Sequence, residues 1–197
     1  DCAQTGETMQ YALDNDTDRT EELDEFLETP SAERAAFAST PADVAQVGEG
    51  AVLRDRYLLD VLLADSGRSL VFSGRDLRRD ATDAFEVAVK VLGEQQRHSP
   101  AAVARLKREF RQTQALRHPG VVRMLDLDCD RDTWFITMER LEGVSLKARL
   151  AWESHGTLNT AEAIRIAYAC SDVLDHAHQL GLVHGDFKPG NVFIEAN

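Results

Sequence analysis

Apolar and polar positions change rhythm several times along the chain, and each change marks an element. Residues 1–19 are polar and acidic without a repeating apolar position, and read as disordered. Thr20 can cap a short helix that places Leu23, Phe26 and Leu27 on one face and stops at Pro30. A second short helix is predicted over 31–38, before Pro41. From Gly48 the texture becomes globular. Alternation over 52–63 and over 69–75 predicts strands, and 75–84 is a charged turn region. Phe85–Leu92 is a strand with Val87, Val89 and Val91 on one face and Ala88 and Lys90 on the other.

Ser99-Pro100 opens a helix over 100–117, with Pro in its first turn and Val103, Leu106, Phe110 and Leu116 as its apolar stripe. His118-Pro119-Gly120 ends it. Strands follow over 121–128 and 133–139 around the turn Asp130-Arg131-Asp132. A helix starts at 146–150. A long one covers 160–180 and carries Ile164, Ala167, Tyr168, Leu174 and Ala177. Gly181 ends it, and an extended segment begins at Val183. Strands with one inserted helix, followed by helices, predict an α+β fold with a β-rich first lobe and a helical second lobe.

Composition adds one feature that the pattern lacks. The 197 residues are 43% hydrophobic, enough for a core, which excludes wholesale disorder. The net charge of −12 argues against a nucleic-acid or anionic-membrane binder. No apolar run approaches the ~18–20 residues needed to span a bilayer. The charge is uneven: residues 1–50 hold 13 acidic and two basic residues, whereas 51–197 hold 21 and 20. An acidic leader, 1–47, therefore precedes a nearly neutral body. Cys2, Cys129 and Cys170 fit no metal-site spacing and read as the reduced thiols of a cytoplasmic protein. The N-terminus has neither the basic nor the apolar region of a signal peptide.

Two groups of residues carry candidate chemistry. Lys90 sits on the Ala88 side of its strand, where burial is costly unless an anion meets it. Nineteen positions on, Glu109 lies on the next helix. A strand lysine held by a helix carboxylate can clamp phosphate oxygens as an oriented point charge. The second group is the run His184-Gly185-Asp186-Phe187-Lys188-Pro189-Gly190-Asn191. Asp186 can accept a proton from, or orient, an attacking hydroxyl. Lys188 can neutralise a transferring phosphoryl group. Asn191 offers a hard oxygen to Mg²⁺. Phosphoryl transfer uses such parts because its catalysis is mostly positioning and charge stabilisation.

Together these residues resemble a eukaryotic-type Ser/Thr protein kinase of bacterial style, over about 52–197. Val87-Ala88-Val89-Lys90 matches the strand-lysine motif, with Glu109 in its partner's place. Leu116-Arg117-His118-Pro119-Gly120-Val121-Val122 resembles the turn after the partner helix, and 136–143 resembles the hinge between lobes. The spacing from Asp186 to Asn191 is that of the catalytic loop. The resemblance implies ATP and Mg²⁺ as cofactors and Ser/Thr of a protein as substrate. It implies Asp186, Lys188, Asn191, Lys90 and Glu109 as catalytic residues, with Asn191 on the metal. It also implies Val71, Ala88 and Phe193 around adenine, Met138 as gatekeeper, and Glu139 and Leu141 as the hinge groups that meet the base. The implied lobes are 48–143, N-lobe and hinge, and 144–197, the start of the C-lobe.

The chain departs from the family in three places. The glycine-rich loop has Ala64, Ser66 and Ser69 at its glycine positions, so the Ser66 and Ser69 hydroxyls would face the phosphates instead. Gly185 stands where many kinases have arginine, and His184-Gly185-Asp186 also resembles aminoglycoside and choline phosphotransferases. No Asp-Phe-Gly follows Asn191. The expectation is a fragment of a longer kinase, inactive by itself, whose full length could be membrane-anchored. The alternatives are a small-molecule phosphotransferase and a non-catalytic pseudokinase scaffold. The leader, through Leu23, Phe26 and Leu27, is expected to dock on the body and regulate it.

Overall fold

A computed structural model describes residues 9–11, 47–78, 85–153 and 155–195. The elements in order are β1 (Met9–Tyr11), β2 (Val52–Leu53), β3 (Tyr57–Asp65), β4 (Ser69–Asp76) and β5 (Phe85–Leu92). Next come α1 (Glu94–Arg97), α2 (Pro100–Ala115), β6 (Met124–Asp130), β7 (Thr133–Glu139) and β8 (Gly143–Ser145). The chain continues through α3 (Leu146–Trp152), α4 (Thr160–Gln179), a 3₁₀ turn (Pro189–Asn191) and β9 (Val192–Glu195). The helices expected around Leu23 and over 31–38, and the turn residues 79–84, lie outside the described residues.

Six antiparallel strands form the first lobe's sheet, in the order β2-β3-β4-β5-β7-β6. Strand β5 is buried on both faces from Val87 to Leu92, where apolar residues occupy both faces of the strand. Val87, Val89 and Val91 enter one core with Leu59, Phe72 and Phe135. Ala88 and Leu92 enter a second core, against Leu106 of α2 and Ile136 of β7. Each fully buried side chain of this size contributes roughly 1.5–3 kcal/mol.

The two edges of the sheet are tied together. Near β2, the Arg54 amide donates to Asp130 (2.9 Å) and its side chain pairs with Asp128 (3.2 Å). Arg56 bridges Asp76 (2.7 Å) and Asp126 (2.9 Å), and the Tyr57 hydroxyl also donates to Asp126 (3.0 Å). Hydrogen bonding to the Arg56 guanidinium holds the Asp76 carboxyl below its ordinary value. Burial first, and then Asp126, pushes the Tyr57 phenol up to about 12. The folded protein thus keeps a proton that the unfolded chain loses at a lower pH. Stability is therefore expected to fall as pH rises from about 10 toward about 12. An ultraviolet phenolate titration should show one of the three tyrosines ionising last, and Tyr57→Phe should remove that step.

The second lobe packs α4 against the turn that follows α2. Ile166, Cys170, Val173 and Ala177 meet Leu116, Val121 and Val192. Of the stripe expected from sequence Ala177 is buried, whereas Ile164 and Tyr168 are 63% and 77% exposed. Helix α4 has apolar residues on more than one face, and the buried face is the one that Leu116, Val121 and Val192 cover. His118 adds a polar tie, with Nε2 3.1 Å from Asp172 and its ring 5.2 Å from that of His176.

Two short strands had no signal in the alternation pattern. Met9–Tyr11, inside the stretch read as disordered, pairs with Val192–Ile194 on β9. On the other edge of β9 lies β8, with Gly143 opposite Glu195 and Ser145 opposite Phe193. A Cβ at Gly143 would come within 2.0 Å of the Ile194 carbonyl oxygen. Gly143→Val is accordingly expected to unpair β8 from β9 and cost about 2–4 kcal/mol, seen as a lower melting temperature. An unchanged melt would contradict that close approach.

Of the three cysteines, Cys129 is half-buried, Cys170 is buried, and Cys2 lies outside the described residues. Burial and then the carboxylates of Asp128, Asp132 and Asp130 push the Cys129 thiol up, so it is a poor nucleophile. No helix among the described residues is long and apolar enough to cross a membrane.

Candidate active site

Helix α2 begins where the Ser99 hydroxyl accepts from the Ala102 amide (3.3 Å), with Pro100 in the first turn. Its buried face is Ala102, Leu106, Glu109 and Thr113. A carboxylate on such a face needs a cation. Lys90 of β5 supplies one, with Nζ 3.1 and 3.3 Å from the two Glu109 oxygens. Both side chains are more than nine-tenths buried.

The loop after α4 is built by short-range bonds. The Gly181 backbone is left-handed (φ 71°), and the Leu182 amide bonds back to Ala177 (2.9 Å), which closes the helix. Gly185 is also left-handed (φ 76°), a conformation that glycine adopts without strain. The turn lets the Asp186 amide donate to Nδ1 of buried His184 (3.2 Å). The Phe187 ring stands edge-on to His184 at 5.5 Å. Buried Asn191 donates from Nδ2 to the Asp186 carbonyl (3.0 Å) and carboxylate (3.4 Å). Lys188 Nζ lies 2.8 Å from the Asp186 carboxylate. One carboxylate, one ammonium and one carboxamide are thus held together.

Apolar residues from three neighbouring segments form a wall. Val71, Ala88, Met138 and Leu141 belong to one cluster, with Val71 opposite Lys90 and Ala88 opposite Met138 in the sheet. Phe193 lies elsewhere, half-buried on β9 in the second lobe's sheet. The Glu139 amide donates to the Arg123 carbonyl (3.0 Å), so its carbonyl is the backbone group to consider for a ligand.

Ser66 and Ser69 are brought together, but within their own turn. Ser66 Oγ lies 3.1 Å from Ser69 Oγ and accepts from the Ser69 amide (3.0 Å). Asp65 Oδ1 accepts from the Gly67 amide (2.7 Å), and Gly67 is left-handed (φ 72°). These hydroxyls would have to exchange partners to reach a phosphate. The roles of Asp65 and Arg123 in shaping the site went unnoticed in the sequence, and His184 was named within its run without the amide contact it makes to Asp186. For Asp65 a signal existed, since Asp-Ser-Gly is a turn signature. Among the described residues no group of three or more His, Cys, Asp and Glu side chains could hold a metal ion.

A profile of the protein kinase domain matches residues 71–197. The chain belongs to the protein kinase family. It is 31% identical over 146 residues to the serine/threonine-protein kinase PrkC of Bacillus subtilis, covering 74% of this chain and 22% of that one. It is 34% identical over 149 residues to the serine/threonine-protein kinase PknB of Mycobacterium tuberculosis, covering 73% and 23%. The chain thus spans under a quarter of the length of these relatives. The crystal structure of the Mycobacterium tuberculosis PknI kinase domain shares the fold. It superposes with a TM-score of 0.63 at 24% identity, over 77% of this chain and 59% of that one. The apo form of PpkA-294 gives a TM-score of 0.64 at 17% identity, over 76% and 58%. The kinase fold is therefore common to this chain and both structures, with its β-rich lobe and the start of its helical lobe.

Proposed function

We propose that the intact protein transfers the γ-phosphoryl group of ATP to Ser or Thr hydroxyls of proteins. The observation that carries this reading is the constellation of Asp186, Lys188 and Asn191, locked together at 2.8–3.4 Å. The adenine ring would lie against Val71, Ala88 and Leu141 from the first lobe and Phe193 from the second, with Met138 at the back. The Glu139 carbonyl and the Leu141 backbone would meet its edge. Lys90, oriented by Glu109, would hold the phosphates.

In the reaction the substrate hydroxyl oxygen forms a bond to the γ-phosphorus. The bond from that phosphorus to the β,γ-bridging oxygen breaks, and ADP leaves. The Asp186 carboxylate accepts the hydroxyl proton, and Lys188 balances charge on the moving phosphoryl oxygens. When bound, Mg²⁺ neutralises phosphate charge. Asn191 suits it because Nδ2 faces Asp186, which makes Oδ1 its metal-binding atom. With no acidic cluster among the described residues, its other ligands would be phosphate oxygens, water or groups outside them.

Calorimetry with the intact protein tests the nucleotide half of this reading. One ATP should bind per chain, and more tightly with Mg²⁺ than with EDTA. No binding under either condition would reduce the site to a scaffold.

A further inference from the structure

The body of the chain is nearly neutral, yet one segment of it is not. Residues 97–117 hold six basic residues and one acidic residue, Glu109, which Lys90 binds. Arg108 and Arg111 are exposed, lie one helical turn apart on α2, and form no ion pair among the described residues. Lys107 beside them sits with Nζ 3.7 Å from the centre of the Trp134 ring.

The same helix begins at a cleft of about 360 Å³, lined by Arg97, His98, Ser99, Val103 and Lys107 among others. The Arg97 side chain is only 6% exposed, and its Nε has no hydrogen-bond partner among the described residues. A buried donor left this way is costly unless an acceptor reaches it. The nearby carboxylate, Asp132, is 4.0 Å from Arg97 and is shared with His98 at 3.5 Å. Helical spacing puts Arg108 and Arg111 one turn beyond Ala104 and Lys107 of the cleft, on the same side of α2.

A polyanion is tethered to the same body. Residues 12–46 hold ten acidic and two basic residues. Both ends of this segment are held on the body. Tyr11 pairs with Val192 in the second lobe, and Val47 packs against the core of the six-stranded sheet. Residues 12–46 are long enough to span the body from these anchors, and a tethered segment meets a surface within its reach at an effective concentration of up to about millimolar.

We propose that residues 12–46 dock in cis along α2, with their carboxylates as the ligands of Arg97, Lys107, Arg108 and Arg111. The contact is electrostatic, so salt weakens it. Because α2 also carries Glu109, docking steadies the helix that orients Lys90. That coupling rests on the kinase reading of the site, whereas the docking itself does not.

Zero-length carbodiimide coupling on the intact protein, read by peptide mass spectrometry, tests the docking without any activity assay. The 197 residues contain four lysines, of which Lys90 is buried against Glu109. Carboxylates of 12–46 should couple to Lys107 within one chain, in preference to Lys147 and Lys188. The yield should fall several-fold in ~0.5 M salt and in an Arg108→Glu, Arg111→Glu double variant. Coupling at Lys147 and Lys188 should be unchanged in that variant. Equal coupling to all three lysines, or a yield indifferent to the arginines, would overturn the proposal. Coupling found only between two chains would overturn docking in cis and assign the surface to a second copy.

Discussion

A Lys90→Met variant of the intact protein is expected to lose phosphoryl transfer by about 10²–10³-fold, the usual effect of removing one preorganised electrostatic contact. Stability should also change, by a separate route. Lys90 and Glu109 are 9% and 8% exposed, so the single variant leaves a carboxylate in the core without that cation. Breaking a buried pair from one side costs about 3–5 kcal/mol. Replacing both members with apolar residues of similar size is commonly neutral. The double variant Lys90→Met, Glu109→Leu should therefore regain most of the stability and none of the activity. Thermal melts and rate measurements on the same three proteins separate the two effects. A double variant that recovers activity would show that Lys90 supports the fold alone.

Asp186→Asn is the second large effect. Asparagine keeps an oxygen toward Lys188 and Asn191 but lacks the charge and the basicity of the carboxylate. The expected loss in turnover is about 10²–10⁴-fold, the range for a positioned general base. ATP affinity should stay within about twofold, because the reacting hydroxyl, not the nucleotide, is what Asp186 meets. Lost ATP affinity with retained turnover of bound substrate would move Asp186 from the proton to the nucleotide.

Much of the fold could be read from the chain because its central strands are short apolar runs set between turn residues. Phe85–Leu92 and Thr133–Glu139 have the bounds that the pattern predicts, since each is buried on both faces and bracketed by turn residues. Helix α4 exposed the limit of that approach. Its buried face, Ile166, Cys170, Val173 and Ala177, keeps helical spacing, but Ile164 and Tyr168 begin a competing apolar stripe, and the choice between them is made by Leu116, Val121 and Val192, residues outside the helix. Strands β1 and β8 went unread for a related reason. Each is three residues long and exists because β9 offers an edge.

In the candidate site, spacing along the chain marked Lys90 with Glu109, and Asp186 with Asn191. The structure brings each pair into contact. What spacing could not show is how the hydroxyls of Ser66 and Ser69 are used. Side-chain type suggested phosphate contacts, while the geometry has them closing their own turn, next to the Asp65 carboxylate that holds Gly67.

The most direct measurement is transfer of label from γ-labelled ATP to a generic Ser/Thr-containing protein, followed by phosphoamino-acid analysis. The intact protein should yield phosphoserine or phosphothreonine in a Mg²⁺-dependent reaction that Asp186→Asn reduces by the stated factor. Label appearing only on a small-molecule hydroxyl, or no transfer at all from a protein that binds Mg²⁺ and ATP, would contradict the account.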